Sequence, residues 1–350
     1  MERPDLTNIR TDVLAYIESL EARIAFLEGK RSRVTIHEEE PEIHHETALP
    51  EEKPTTDSLI SLSANGKIKR TQRHLYSRQH RSGMGVFDLD IDLPDLPAAL
   101  QVCPESTSLL LFTNLARVFR LPVGKMDARE VRAKGEDLTI RFPLEEGERY
   151  VAVLPDRASG FVALASERGR IRILRHHLFG EHMRPGTAMF KPEEFGQLTT
   201  VCWSPGSLDL LLLSRRGMGI RFSEKLVNPQ GDLGLRLAEG DSLVAVLSVS
   251  EESSVFIAGA DGRGTVRKMS SFAPNKSTGG SGKIAMRSDQ IAGALVVDPN
   301  DDIFMASRLA KVIRFPVNEV PETDGVVQGV VCMQLRADDV VALSTSKALS

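Results

Sequence analysis

Apolar residues along this chain of 350 residues fall in short runs separated by Gly, Asn and charged positions, and one phrase returns six times. Each copy is an apolar strand that enters a turn centred on Gly or Ala and leaves through a second strand carrying Arg or Lys. The copies are Leu59–Arg70, Leu109–Arg120, Phe161–Arg172, Leu210–Arg221, Val255–Lys268 and Ile303–Arg314. Their turn residues, read as Gly66, Ala116, Gly169, Gly217, Gly264 and Ala310, lie 46 to 53 residues apart. A third apolar run follows in every unit, at Ala98–Val102, Tyr150–Leu154, Leu198–Trp203, Leu243–Val249, Ile291–Val297 and Val340–Leu343. The polar, Gly-rich stretches before these runs leave room for a fourth strand, as at 231–237 and 282–287. A period of about 40–50 residues built from short strands predicts propeller blades. One such sheet cannot bury both faces, whereas blades set radially bury each face on a neighbour. The expected fold is all-β, a six-bladed disc.

Ahead of the repeats the pattern changes. Leu6, Val13, Leu20 and Leu27 are spaced by seven, with Arg10, Ile17 and Ile24 on the alternate seam, which predicts an amphipathic α-helix over 1–29. Ile at a and Leu or Val at d favour a parallel two-stranded coiled coil, so a homodimer through this helix is one reading and a lone helix the other. Residues 30–57 are rich in Glu, Pro, Thr and His and have no apolar period, which predicts a disordered acidic linker. His37, His44 and His45 lie among glutamates there and read as solvated rather than metal-binding. The repeat array is assigned to 58–350.

Charge and composition narrow the picture. The net charge of −4 is uneven, because residues 1–57 hold 7 Lys/Arg against 14 Asp/Glu and leave the rest weakly basic. Bulk charge therefore neither demands nor excludes a nucleic acid, and placement must decide. Cys103, Cys202 and Cys332 are far apart and set among apolar residues, so they read as buried free thiols. No apolar run is long enough to span a bilayer, and the charged N-terminus is no secretory signal, so a cytoplasmic location is expected and no membrane partner.

Counting four residues from each turn gives Arg70, Arg120, Ile173, Arg221, Lys268 and Arg314, with Arg172 and Arg175 close by in the third unit. Equivalent positions in successive blades occupy equivalent places around a disc, so this phase predicts a basic belt on the rim. Lys67, Lys69, Arg117, Arg170, Arg267 and Lys311 would support it. Such a belt suits the phosphates of duplex DNA and carries no base readout. The plainer alternative is that these cations solubilise strands or pair with acids.

The unit, as in 65–71 or 310–316, resembles the C-terminal domain of DNA gyrase A and of its topoisomerase IV counterpart. The resemblance covers about 58–345. It implies a six-bladed β-pinwheel with strands exchanged between blades, and DNA bent around a basic rim. Gyrase versions carry a QRRGGKG box in blade one, and the corresponding stretch here is Gln79-His80-Arg81-Ser82-Gly83-Met84-Gly85. Gln79, Arg81, Gly83 and Gly85 match, while His80 and Met84 each remove a charge.

No catalytic set is legible. Tyr16, Tyr76 and Tyr150 lie in no setting for strand cleavage, and neither a GxxxxGK[ST] phosphate loop nor a GxSxG elbow occurs. Asp88, Asp90, Asp92 and Asp95 read as a solvated strand end, with a cation site as the alternative. No enzyme, metal or cofactor is expected. The resulting expectation is a stand-alone, non-catalytic protein that binds and bends double-stranded DNA through Arg70, Arg120, Arg172, Arg221, Lys268 and Arg314, with Gln79, Arg81 and Gly83 in the blade-one loop. Association with the nucleoid follows. Alternatives are a protein-interaction scaffold, or an accessory component working with a type II topoisomerase.

Overall fold

A computed structural model describes residues 49 and 51–346. The expected helix at 1–29 and most of the linker lie outside the described residues. The rest is six sheets arranged as the blades of a disc, antiparallel except that Glu322–Thr323 pairs parallel with Arg263–Lys268 in blade five. In blade one the order from the axis outward is Pro97–Pro104, Asp57–Ser63, Lys67–Gln72 and Glu136–Asp137. The innermost strands, Pro97–Pro104, Tyr150–Pro155, Leu198–Ser204, Leu243–Val249, Ile291–Val297 and Val340–Thr345, pack on one another in ring order, and the last closes on the first.

Alternation along each strand builds the core between blades. In blade one Ile60 and Leu62 pack with Leu109, Leu111 and Phe119 of blade two, while Leu59 packs with Phe304 and Val312 of blade six. Both faces are buried, so these strands read as continuous apolar runs instead of alternating ones.

The fourth strand belongs to a different blade from the one its sequence position suggests. Glu136–Asp137 leaves blade two to pair with Lys67–Gln72 of blade one. Thr187–Ala188, Asp232–Leu233 and Lys283–Ile284 likewise pair with Arg117–Pro122, Arg170–Arg175 and Met218–Ser223 of the preceding blades. Val86–Phe87 of blade one completes blade six through Lys311–Pro316, which closes the exchange into a circle. These edges are two residues long, too short to template pairing with another chain.

The exchanged segments cross the hairpin turns, which fixes the turn residues. Gly66, Ala116, Gly169, Gly217, Gly262 and Ala310 all have positive φ. A Cβ at Gly169 would lie 2.1 Å from the Leu235 carbonyl oxygen, so only glycine fits under the segment crossing there. In blade five the turn glycine is Gly262, and Gly264 lies two residues on, within the strand Arg263–Lys268. The count of four from that turn therefore reaches Val266, and Lys268 is two residues out of phase with the other five positions.

The three cysteines are buried and free. Burial pushes the Cys103 and Cys332 thiols up to about 12 and Cys202 also upward. The native chain at pH 8 should therefore leave a thiol reagent unreacted, with all three sulfurs titrating after denaturation. A fast-reacting thiol in the native state would contradict the packing.

Candidate nucleic-acid interface

The periodic arginines form a buried set of clasps between blades. Arg70, Arg221 and Arg314 are 5%, 4% and 2% exposed. In each, Nη1 donates to two carbonyls of the short 3-10 turn in the next blade. Arg70 reaches Val123 and Met126, Arg221 reaches Met269 and Phe272, and Arg314 reaches Arg73 and Tyr76. Nε turns back to the start of its own hairpin, at Ser58, Asp209 and Asp302 respectively. Arg120 is half-buried, donates to the Phe179 carbonyl and pairs with Asp156. A guanidinium with a fixed fork of donors is suited to bridging two carbonyls and a carboxylate at once.

This corrects the expected rim. The residues one period apart do occupy equivalent places, but for Arg70, Arg221 and Arg314 that place is the boundary between blades, with no surface left for phosphate. Lys69 and Arg267, expected to support the belt, are buried as well. Lys69 Nζ contacts Asp88 at 2.6 Å, and Arg267 donates to the Ala285 carbonyl at 2.6 Å. Lys268 is exposed and pairs loosely with Glu322, at 3.2 Å. Arg172 is half-buried, with Nη1 donating to the Met189 carbonyl.

The blade-one loop is a seam. Glu319 of blade six accepts from the Arg81 backbone N–H at 2.7 Å and contacts His80 Nδ1 at 2.8 Å. Arg81 and Ser82 side chains donate to the Val331 carbonyl, and the Gln79 N–H donates to the Arg314 carbonyl. A Cβ at Gly83 would meet Gln79 Oε1 at 2.6 Å, so this glycine admits close packing of the loop on itself. Gln79, Arg81 and Gly83 thus come together, half-exposed, where blade one closes on blade six. Asp88 and Asp95, expected as part of a solvated end, are buried and accept hydrogen bonds, from Ser61, Lys69 and Tyr76 in one case and from the Asn65 N–H in the other. Among the described residues no group of His, Cys, Asp and Glu could hold a metal ion.

A second ring of cations is present at the hairpin turns. The turns at 64–67, 114–117, 167–170, 215–218, 260–263 and 308–311 carry nine Lys/Arg and two Asp/Glu, with at least one cation in every blade. Arg168, Arg215, Arg216, Arg263 and Arg308 are exposed, and Lys67, Arg117, Arg170 and Lys311 half-exposed. Some are partly neutralised: Lys67 by Asp137 at 2.9 Å, Arg117 by Glu148 at 2.6 Å, Arg263 by Asp261 at 3.7 Å and Arg308 by Asp339 at 3.6 Å. Asp137 is held down to about 2, chiefly by its hydrogen bond from Lys67. The signal for this ring is present in the sequence, one position on from the turn residue and in the residues before it. It is less regular than the buried phase, so by pattern alone it reads as an accessory to that phase.

The family model for "DNA gyrase C-terminal domain, beta-propeller" matches residues 57–95, 208–250 and 301–345. A solved DNA gyrase A C-terminal domain superposes with a TM-score of 0.74, covering 83% of this chain and 99% of that one at 20% identity. This chain resembles the C-terminal domain of DNA gyrase A. A solved C-terminal domain of DNA topoisomerase IV gives a TM-score of 0.59 at 19% identity, over 83% of this chain and 93% of that one. Among whole proteins, DNA gyrase A of Escherichia coli K12 is 26% identical over 89% of this chain and 36% of its own length. The Klebsiella oxytoca protein is 28% identical over 90% and 37%, and that of Haloquadratum walsbyi 24% over 98% and 41%. The gyrase-like chain therefore spans about two fifths or less of these relatives. No helix among its described residues is long and apolar enough to cross a membrane.

Proposed function

We propose that the gyrase-like disc is a non-catalytic module that binds double-stranded DNA through the phosphate backbone and bends it along the disc edge. The observation that carries this reading is the ring of hairpin-turn cations, present in all six blades at one point of the repeat. Cations repeated in a ring around the disc suit a polyanion with one charge per about 1.7 Å of duplex axis. Surface pairs such as Arg263–Asp261 are worth little, so these cations still contribute to phosphate binding, less than an unpaired cation does. Lys268, Arg172 and Arg81 keep exposed surface and remain part of the proposed contact. Arg70, Arg120, Arg221 and Arg314 act on it only by holding the blades in register. Similarity to gyrase A supports a place beside a type II topoisomerase, with a nucleoid-associated, cytoplasmic location.

A second reading, a scaffold for protein partners, draws on the use of the most regular arginines as structural clasps. Salt separates the two. Affinity of the full chain for an about 40-base-pair duplex, followed from about 50 to 200 mM salt, should fall steeply, with a slope near −0.9 per phosphate neutralised. Paired fluorophores at the duplex ends should approach one another on binding if the DNA bends. Absence of binding at low salt, or affinity indifferent to salt, would remove the DNA reading in favour of the scaffold.

A further inference from the structure

We infer that blade three is the principal phosphate anchor of the disc; this rests on the DNA reading above. Residues 157–190 contain six arginines and two glutamates; residues 58–87 of blade one hold six Lys/Arg and no acid, but all of those except Arg81 are ion-paired. Arg157, Arg168, Arg170, Arg172, Arg175 and Arg184 make no ion pair among the described residues, whereas Arg70, Arg117, Arg120, Arg221 and Arg314 of other blades all do.

The reason lies in the repeat. Blade three has Ile173 at the clasp position, so none of its arginines serves as that clasp. Ile173 packs with the core between blades three and four. Arg170 and Arg172 alternate to the other face of Arg170–Arg175, toward the segment that crosses to blade two. There Arg172 holds the Met189 carbonyl and Arg170 lies over the Phe195 ring at 4.9 Å. Arg168 stands exposed at the turn, Arg175 exposed at the opposite end of the strand, and Arg184 exposed beside the exchanged strand Thr187–Ala188. At about 3.3 Å per residue the strand spans roughly 20 Å, enough for this column of cations to meet phosphates on both sides of a groove about 12 Å wide.

Part of this charge is also poorly solvated. The Nε atoms of Arg157, Arg170 and Arg172 are buried without a hydrogen-bond partner. Burial with no offsetting carboxylate lowers the Arg157 pKa. Cations already stripped of water and left without a counter-charge gain more from an incoming anion than those with a partner to give up.

The test uses the full chain, the about 40-base-pair duplex and two triple variants of equal charge change. Arg168→Gln/Arg175→Gln/Arg184→Gln should weaken binding at least about tenfold near 0.15 M salt and flatten the salt slope by about 2.7, three phosphates' worth. Lys67→Gln/Arg263→Gln/Arg308→Gln, which removes turn cations that already have a carboxylate, should flatten it by less than half as much. Circular dichroism checks folding. Should the first triple variant misfold, the single variants Arg175→Gln and Arg184→Gln serve instead, each expected to remove about 0.9 from the slope. Equal or larger losses in the second variant would overturn blade three as the anchor while leaving DNA binding intact. Absence of binding by the unmodified chain would overturn both.

Discussion

Replacing Arg314 by leucine is expected to cost about 3–5 kcal/mol and to open the ring, because removing one partner of a buried ion pair strands the other. Arg314 Nη2 lies 2.6 Å from Asp302 Oδ2, with both side chains 2% exposed, and Nη1 lies 2.7 Å from Glu52. The junction it spans differs from the other five. Elsewhere a loop carries the chain from an inner strand into the next blade, whereas between Val340–Thr345 and Asp57–Ser63 closure is non-covalent. Arg73 completes it by holding Glu52, Asp57 and the Ser346 carbonyl. Ser344 Oγ adds a bond by accepting from the Val102 N–H. The thermal midpoint should fall by roughly 6–20 °C, and hydrogen exchange should quicken at 340–345 and 57–63. Arg221→Leu makes the control. It loses the same clasp where a loop spans the junction, so it should destabilise without increasing the radius of gyration. An Arg314→Leu disc that stays closed, with an unchanged midpoint, would refute the clasp.

Acid should loosen the same seam. Burial raises the Glu52 carboxyl, but hydrogen bonds and charge from Arg73 and Arg314 outweigh it and hold the group below its ordinary value. A depressed carboxylate contributes stability above its unfolded-state pKa, and that contribution is lost as pH falls through the lower folded value.

Asp88→Ala should be comparably damaging, at about 3–5 kcal/mol, because it isolates a buried ammonium. Asp88 is 2% and Lys69 1% exposed. Asp88 Oδ1 accepts from Lys69 Nζ at 2.6 Å and from the Tyr76 hydroxyl, while Oδ2 accepts from Ser61 at 2.5 Å. The Asp88 N–H donates to the Ala310 carbonyl of blade six, so this hub pins the segment that blade one contributes to blade six. Without the carboxylate, Lys69 keeps only backbone acceptors, the Asp88 carbonyl at 2.7 Å and that of Glu130 at 3.5 Å. A Lys69→Met/Asp88→Leu double variant should recover much of the loss, since apolar pairs of similar volume often replace buried ion pairs without penalty. Chemical denaturation of the two single variants and the double variant measures this. Additive losses would show that the pair is not a coupled unit.

These two networks also show why the site is harder to read than the fold. Arg70, Arg221 and Arg314 recur at one phase, which is what a rim contact and a clasp between blades would both produce. The acceptors that distinguish them are remote: Met126 lies 56 residues from Arg70, and Tyr76 lies 238 from Arg314. Blade five misleads in a different way. Both Gly262 and Gly264 suit a turn by residue type, and only pairing of Ala258 with Gly264 places the turn at Gly262. Lys268 joins the series only through that shift of two residues.

The number of units, the three long strands of each and the burial of both their faces are all legible in the chain. They follow from apolar period and turn chemistry, which are local. The same local pattern places Cys103, Cys202 and Cys332 in the core and carries the resemblance to gyrase A. Which cations reach solvent is settled only when the blades are assembled. Whether an arginine on a strand faces a neighbouring blade or the edge depends on strand exchange and on carbonyls brought from the next blade. Those contacts join residues far apart in the chain, so a period can show that positions are equivalent but not on which side of the boundary they lie.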